Sequence, residues 1–167
     1  MQLDALQVYC PDLNEPSDFE DFWQSSIQQS RQLSAPTDIS QIEIGLRVFD
    51  TFDVTFSGFD GERVKAWLIV PKFFEKPIPV VFEFVAYGGG RGNPFFWLQF
   101  PAAGYAHFVM DNRGQGSSWM RGDTPDLSDQ GEPAFPGYMT RGISNPENYY
   151  YRRALSNNYG FFHVEFV

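Results

Sequence analysis

Residues 82–92 read FEFVAYGGGRG, an apolar run of β-forming residues that ends in a tyrosine and a loop with four glycines. A short and nearly continuous apolar run is typical of a strand covered on both faces, as in a parallel sheet. The glycines let the backbone turn sharply or approach another group closely. Three uses fit such a loop: a phosphate cradle, a receiver for a developing oxyanion, or a tight turn between two elements.

The N-terminal part of the chain predicts an amphipathic helix. Apolar residues recur at three- and four-residue spacing at Phe19, Phe22, Trp23 and Ile27. The pattern begins at a capping box, Ser17-Asp18-Phe19-Glu20, and ends near Leu33, where Ser-Ala-Pro follows. A helix that docks on a sheet is therefore expected here.

An antiparallel hairpin is predicted next. From Gln41 to Phe56 the apolar residues alternate with polar ones, as in a half-buried strand. A turn at residues 59–62 leads to a returning strand that carries Val64 to Val70. Beyond the hairpin the pattern changes to buried strands separated by a short helix.

The sequence that follows the hairpin predicts a parallel sheet. Residues 80–85 form one buried strand, and Tyr105–Met110 form another; Trp97, Leu98 and Phe100 indicate a short helix between them. A strand, helix and strand of this length make a right-handed crossover. From Trp119 to Ile143 no period is visible, and Asn145-Pro146-Glu147 then has the form of a helix start.

The charge balance argues against polyanionic partners. The chain has 12 Lys and Arg against 21 Asp and Glu, a net charge of -9, which repels nucleic acid and anionic membranes. No basic leader followed by an apolar stretch opens the sequence, and no apolar run is long enough to cross a bilayer. The single cysteine, Cys10, excludes an internal disulfide. We therefore expect a cytoplasmic protein that binds neither nucleic acid nor membrane.

Phosphate binding is the weakest of the three uses of the glycine loop. A dinucleotide fingerprint needs G-x-G-x-x-G, but the sixth position counted from Gly88 is Asn93. No Lys-Ser or Lys-Thr pair completes a P-loop. The oxyanion use fits better, since Tyr87 and the glycines stand where α/β-hydrolases carry an HGGG-type run after their third strand. A tight turn that needs positive φ is the alternative.

Five segments, in this order and spacing, resemble one family of α/β-hydrolases: VVFEFVAYGGGRGNPFFWL, FPAAGYAHFVMDNRGQGSSW, GDTPD, FPGYMTRGI and NYYYRR. The resemblance is to the acetyl xylan esterase and cephalosporin C deacetylase family, and it covers residues 1–153. It implies the N-terminal part of an α/β-hydrolase domain. The fold class is then α/β, with an incomplete α/β-hydrolase fold in which an N-terminal helix and an antiparallel hairpin lead into a mostly parallel sheet.

The resemblance also implies roles for particular residues. Tyr87 matches the tyrosine whose backbone N–H is one of two oxyanion donors, and the glycines that support this loop are Gly88, Gly89, Gly90 and Gly92. Residues 119–143 match an interface loop that narrows the site and joins subunits into homo-hexamers. The substrate would be an acetylated carbohydrate or another small acetyl ester, with no cofactor and no metal. Asp111 and Arg113 are expected to be scaffold residues.

The nucleophile, acid and histidine of this chemistry have no match in the chain. The nearest approach to a G-x-S-x-G elbow is Gly142-Ile143-Ser144-Asn145-Pro146, where we expect Ser144 to start a helix. His107 is expected in the core, and His163 lies in residues 154–167, a tail that departs from the family. In that tail Asn157–Gly160 disfavours a helix and residues 161–167 favour a strand or no pattern.

We therefore expect an N-terminal portion truncated before the nucleophile, inactive alone, which aggregates or needs a complementary half. The alternative is a non-catalytic binding or assembly module, or a non-functional remnant of such an enzyme.

Overall fold

The computed structural model describes residues 2–75, 77–127 and 137–161. Its helices are α1 (Leu3–Gln7), α2 (Phe19–Gln32), α3 (Gln99–Ala102) and α4 (Tyr150–Phe161). Its strands are β1 (Asp38–Ile42), β2 (Phe49–Ser57), β3 (Arg63–Pro71), β4 (Val80–Phe84) and β5 (Ala106–Met110). Short 3-10 turns occur at Phe59–Gly61, Pro94–Trp97 and Pro146–Asn148.

The five strands form one mixed sheet in the order β1-β2-β3-β5-β4. β1, β2 and β3 pair antiparallel in sequence, and β3 also pairs antiparallel with β5. β4 and β5 pair in parallel, with α3 in the connection between them. The predicted α/β class and the hairpin that leads into parallel pairing are confirmed, and within the described residues the parallel pairing is confined to β4 and β5.

The single strand predicted from Gln41 to Phe56 is wrong, because this segment folds as two antiparallel strands. β1 ends at Ile42, the chain turns with Gly45 at φ 84°, and β2 begins at Phe49. An even number of residues separates the two strands, so the apolar alternation keeps its phase across the turn. The periodicity therefore cannot reveal the break.

Two apolar clusters lie in the core, built from alternate residues of the strands. One contains Val54, Phe56, Val64, Ala66, Leu68, Ala106, Phe108 and Met110. The other contains Trp67, Ile69, Val85, Trp97 and Val109. Because neighbouring residues such as Leu68 and Ile69 belong to different clusters, both faces of the central strands are covered.

The predicted N-terminal helix is confirmed, but its capping and its buried face differ from the prediction. Asp18 precedes the first turn without a side-chain cap, and Glu20 accepts a hydrogen bond from Gln24 at 2.9 Å instead of closing a capping box. Ser26 and Ser30 are the buried residues of α2. The small serines allow a close approach of α4, whose Arg152 Nε donates to Ser26 Oγ at 2.9 Å.

Helix α4 continues through the segment that was predicted to disfavour a helix. Asn157 is buried, and its side-chain Oδ1 accepts a hydrogen bond from the backbone N–H of Phe59 at 2.9 Å. This tertiary contact outweighs the weak helix propensity of asparagine, which amounts to only about 0.7 kcal/mol per residue. Residues 162–167, and His163 with them, lie outside the described part of the chain, and the boundary at residue 153 stays a prediction.

Strand β4 is less covered than predicted. It lies at an end of the sheet, and Phe82 and Phe84 are exposed rather than covered on both faces. β5, in contrast, is buried along its whole length as expected. Within the described ranges, no helix has both the length and the apolar character that a membrane span requires.

Candidate active site

The glycine loop follows β4 and lies at the carboxyl end of the parallel pair. Phe84 is in register with Met110, so the two strands end at the same edge of the sheet. Asn112, just after β5, donates its side-chain N–H to the carbonyl of Val85, just after β4. The segments that follow the two strands are thereby brought together, in the place where α/β folds assemble their sites.

The backbone amides from Gly88 to Gly92 are all used within the protein. Their acceptors are Gln115 Oε1 for Gly88 (2.6 Å), Ala86 O for Gly89 (3.0 Å), Met120 O for Gly90 (2.9 Å), Asp111 Oδ1 for Arg91 (2.9 Å) and Arg121 O for Gly92 (2.8 Å). A phosphate cradle needs such amides to point at the ligand. Because these amides are engaged, the phosphate use of the loop is not supported.

The peptide groups on both sides of Tyr87 are fixed in orientation. The carbonyl of Ala86 accepts from Gly89 in a tight turn, and in a planar trans peptide the N–H of Tyr87 points opposite to that carbonyl. On the other side, the carbonyl of Tyr87 accepts a hydrogen bond from Trp119 Nε1 at 2.9 Å. The Tyr87 N–H is thus held in one direction, away from the inside of the turn.

Glycine is required in this loop for two different reasons. Gly88 has φ 80°, a left-handed conformation that side chains disfavour. At Gly90 a Cβ atom would lie 2.2 Å from the Cα of Gly122, so the space for a side chain is occupied by backbone. The positive φ that a tight turn requires is therefore present at Gly88. At Gly90 a close contact between two loops requires glycine as well.

An ionic cluster around the buried side chain of Arg91 supports the glycine loop. Arg91 Nη1 lies 2.8 Å from Asp53, its Nε lies 3.1 Å from Asp123, and its guanidinium stacks 3.7 Å from the centre of the Trp67 ring. Burial raises the pKa of Asp53, but Arg91 and Lys65 lower it by more, so the net pKa lies below its ordinary value. The carboxylate therefore stays charged and keeps Arg91 in place.

Asp111 and Arg113 are scaffold residues, as expected. Asp111 accepts hydrogen bonds from the amides of Arg91 at 2.9 Å and Asp123 at 2.6 Å. Burial raises the pKa of this carboxyl although both amides oppose the shift. Arg113 is fully buried and lies 3.1 Å from Glu62. Both side chains connect separate segments of the chain to one another.

Tyr150 connects α4 to the glycine loop through the side chain of Gln115. The phenol of Tyr150 donates to the carbonyl of Arg113 at 2.6 Å and accepts from Gln115 Nε2 at 2.8 Å. Gln115 in turn accepts from Gly88, so one side chain joins the helix to the loop. Burial raises the pKa of Tyr150 far above its ordinary value, which keeps the phenol neutral and able to donate.

An open hollow of about 150 Å³ lies beside Tyr87. Its lining residues come from β4, β5, the two loops and α4: Phe84, Val85, Tyr87, Met110, Asn112, Gln115, Tyr151, Ala154 and Leu155. Among these described lining residues there is no serine, histidine or acid. A second hollow, of about 380 Å³, shares no lining residue with the first.

Comparisons with known proteins assign the chain to a family. The model of the acetyl xylan esterase (AXE1) family matches residues 1–164. The chain belongs to the acetyl xylan esterase family. The resemblance seen in the sequence is thereby confirmed for this family.

Solved acetyl xylan esterases share the fold. The enzyme from Paenibacillus sp. R4 has a TM-score of 0.78 and 34% sequence identity, and the match covers 93% of this chain and 49% of that enzyme's chain. Acetyl xylan esterase 1 from Thermoanaerobacterium sp. JW/SL YS485 has a TM-score of 0.77 and 26% sequence identity, and the match covers 92% of this chain and 47% of that enzyme's chain. A putative acetyl xylan esterase from Bacteroides fragilis NCTC 9343 shares the fold at 13% identity, with a TM-score of 0.57. This chain therefore spans about half the length of these relatives.

The structure of this family member places two residues away from the candidate site. His107 is buried in β5, with Nδ1 2.9 Å from the carbonyl of Trp97 and Nε2 3.0 Å from Glu83, so it is a core histidine as expected. Ser144 is exposed and lies outside the strands and helices, and the cap of the following turn is Asn145, whose Oδ1 accepts from the amide of Glu147. Ser144 is therefore neither a nucleophile elbow nor the cap.

Two residues of the site were missed by sequence reasoning. Gln115 and Trp119, which belong to the second loop, both bind the peptide group between Tyr87 and Gly88. The only signal was the sequence GQGSSW directly after a buried strand, where glycines again indicate a close backbone approach. The central part of the expected interface loop, residues 128–136, lies outside the described residues.

Proposed function

We propose that this chain supplies the oxyanion loop of a serine esterase that removes acetyl groups from xylo-oligosaccharides, cephalosporin C or similar small substrates. The observation that carries the proposal is the fixed peptide group of Tyr87 at the carboxyl end of β4, beside an open hollow. Membership of the acetyl xylan esterase family supports the reaction class.

The proposed chemistry is attack on an acetyl carbonyl. The carbonyl oxygen becomes negative in the tetrahedral intermediate, and a donor that is already oriented stabilises this charge without reorganisation. Each such donor contributes about 2.7–4 kcal/mol to lowering the barrier. The turn from Ala86 to Gly89 orients the Tyr87 N–H before any substrate arrives, and the Trp119 bond holds the peptide group that follows it.

The remaining groups are assigned to a part of the esterase domain outside these 167 residues. No G-x-S-x-G sequence occurs in the chain, and the described residues that line the hollow beside Tyr87 include no serine. The serine, the acid, the histidine and the second oxyanion donor would come from the part of the relatives that this chain does not cover. The chain by itself is then expected to show no esterase turnover.

A covalent chimera tests the proposal. The chain would replace the matching part of the Paenibacillus sp. R4 enzyme, so that the uncovered part of that enzyme follows it in one polypeptide. We expect the chimera to hydrolyse 4-nitrophenyl acetate and to release acetate from acetylated xylo-oligosaccharides, with loss of both activities after treatment with a serine-directed inhibitor. The chain alone should do neither.

Two results would contradict the proposal. Inhibitor-sensitive hydrolysis by the chain alone would show a nucleophile within the 167 residues. A folded but inactive chimera that binds xylo-oligosaccharides would instead favour a non-catalytic binding module. Size-exclusion chromatography of the chimera would also test whether residues 119–143 join subunits into hexamers.

A further inference from the structure

The proton directions of three linked hydrogen bonds are fixed by the chemistry of their partners. The carbonyl of Arg113 can only accept, so the phenol of Tyr150, 2.6 Å away, donates its single proton there. With that proton used, the phenol oxygen accepts from Gln115, whose Nε2 lies at 2.8 Å. The Oε1 atom of the same side chain therefore faces the amide of Gly88, which donates to it at 2.6 Å.

Tyr150 is held rigidly at the start of α4. It is fully buried, and the centre of its ring lies 5.3 Å from that of Tyr138. Its backbone N–H donates to the carbonyl of Arg141 at 3.0 Å. About one turn later in the helix, Arg153 pairs with the buried carboxylate of Asp126 at 3.0 Å. Backbone, ring and helix thus keep the phenol oxygen in one place.

The side chain of Gln115, in contrast, depends on its two partners. It borders the open hollow beside Tyr87, and in the described part of the chain it bonds to Gly88 and Tyr150 alone. One hydrogen bond between neutral groups stabilises by about as much as the rotamer freedom that a fixed glutamine loses. The bond to Gly88 is therefore not sufficient to keep Gln115 out of the hollow, and the second bond, to a rigid phenol, decides its position.

We propose that Tyr150 is a positioning residue of the oxyanion loop, which acts through Gln115 on the peptide group between Tyr87 and Gly88. Gln115 holds the N–H of this planar group and Trp119 holds its carbonyl. When Gln115 moves away, the group can rotate, and the adjoining amide of Tyr87 loses its direction. This role rests on the proposed function, in which that amide receives the acetyl oxygen.

A double-mutant cycle in the covalent chimera tests the proposal. Tyr150→Phe keeps the ring but removes the acceptor for Gln115. We expect kcat for 4-nitrophenyl acetate to fall about tenfold at a nearly constant KM, less than the loss of about 10²–10³-fold typical of removing an oxyanion donor. In a Gln115→Met background the same change should lower kcat by less than about twofold, because the side chain through which Tyr150 acts is gone.

Tyr138→Phe is the matched control. The phenol of Tyr138 is also buried and donates to a neighbouring carbonyl, that of Gly114, at 2.6 Å, whereas the two bonds of Gln115 go to Gly88 and Tyr150. Both variants lose one buried O–H···O=C bond, so their midpoints of thermal unfolding should fall alike, while only Tyr150→Phe lowers kcat. Equal losses of kcat for the two variants, or equal losses for Tyr150→Phe with and without Gln115, would overturn the proposal.

Hydrogen exchange at single-residue resolution gives a readout that does not need activity. In the full chain and in the chimera, Tyr150→Phe should speed the exchange of the Gly88 amide about fivefold or more. The amide of Gly90, bonded to the carbonyl of Met120 at 2.9 Å, should keep its rate. An unchanged rate at Gly88, or the same acceleration at Gly90, would also overturn the proposal.

The positioning role and the proposed function can fail separately. A chimera that is inactive with Tyr150 and Gln115 in place contradicts the esterase function, and the exchange rate of Gly88 then still decides whether Tyr150 holds the loop. An active chimera whose kcat is unaffected by Tyr150→Phe upholds the function and overturns the positioning role.

Discussion

At the scale of single residues, the candidate site depends on backbone groups held by distant side chains. The side chains of Gln115 and Trp119 both hold the peptide group between Tyr87 and Gly88, and the glycines make room for this loop. The role proposed for Tyr87 therefore belongs to its amide rather than to its phenol. This distinction can be tested, because changes to the side chain and to the loop have different expected effects.

Gly90→Ala should reduce activity much more than Tyr87→Phe in the covalent chimera. The new methyl group at residue 90 would meet the backbone of Gly122 at 2.2 Å and displace the loop, whereas Tyr87→Phe keeps the amide in place. We expect kcat to fall about 10²–10³-fold for Gly90→Ala, the loss typical of one oxyanion donor. A Tyr87→Phe variant that loses as much activity would show that the phenol, and not the amide, takes part.

Asp53→Asn should destabilise the chain at neutral pH and matter less in acid. The pKa of Asp53 is lowered in the folded state, so the charged carboxylate stabilises the fold above the ordinary pKa of 3.8. This stabilisation is lost as the pH falls through the lowered pKa. Since the carboxylate is partly exposed and Asp123 still pairs with Arg91, we expect a loss of about 1–2 kcal/mol at pH 7.

Urea unfolding of both proteins at pH 7 and near pH 3 would measure this difference in the free energy of unfolding. The gap between wild type and Asp53→Asn should narrow in acid. A gap that stays constant or widens would contradict the lowered pKa.

At the scale of elements, a buried ion pair network joins the ends of the long loop. Asp126 contacts Arg141 at 2.7 Å and Arg153 of α4 at 3.0 Å, and all three side chains are almost fully buried. The beginning of the loop, its end and the last helix therefore meet at one carboxylate. Loss of that charge would leave two buried guanidinium groups without their shared partner.

Asp126→Asn should cost about 3–5 kcal/mol of stability, the usual effect of removing one partner from a buried ion pair. Asp38→Asn is a matched control, because the Asp38–Arg63 pair is exposed and should change stability by less than about 1 kcal/mol. The midpoints of urea unfolding for the two variants would check this ranking. Equal effects would show that the network around Asp126 does not carry stability.

Some elements could be predicted from the sequence and others could not. β5 and α3 were predicted correctly because β5 is buried along its length and a glycine follows α3. The break between β1 and β2 left no mark on the alternation, and the end of α4 depends on the contact between Asn157 and Phe59, which are far apart in sequence. Local patterns report burial and turns, but they do not report which distant groups meet.

At the scale of the whole molecule, the same limit applies to the candidate site. The glycine run and the motifs around it predicted a loop at the end of β4, and the structure places this loop beside an open hollow. The sequence could not predict that Phe82 and Phe84 of β4 would be exposed, since an apolar strand has the same sequence pattern whether one face or both faces are covered. Family membership supports the proposed reaction class, and in that proposal the described residues hold one part of the catalytic machinery.

The shared anchor at Asp126 also has a consequence for protein engineering. Because Arg141 Nη1 lies 2.7 Å from Asp126 Oδ2, an ion pair joins the two residues that flank the segment between them. The entropy of closing such a segment grows slowly with its length, by only about 0.6 kcal/mol for each doubling. An insertion between these two residues should therefore cost the sheet little stability as long as Asp126 keeps its contacts with Arg141 and Arg153.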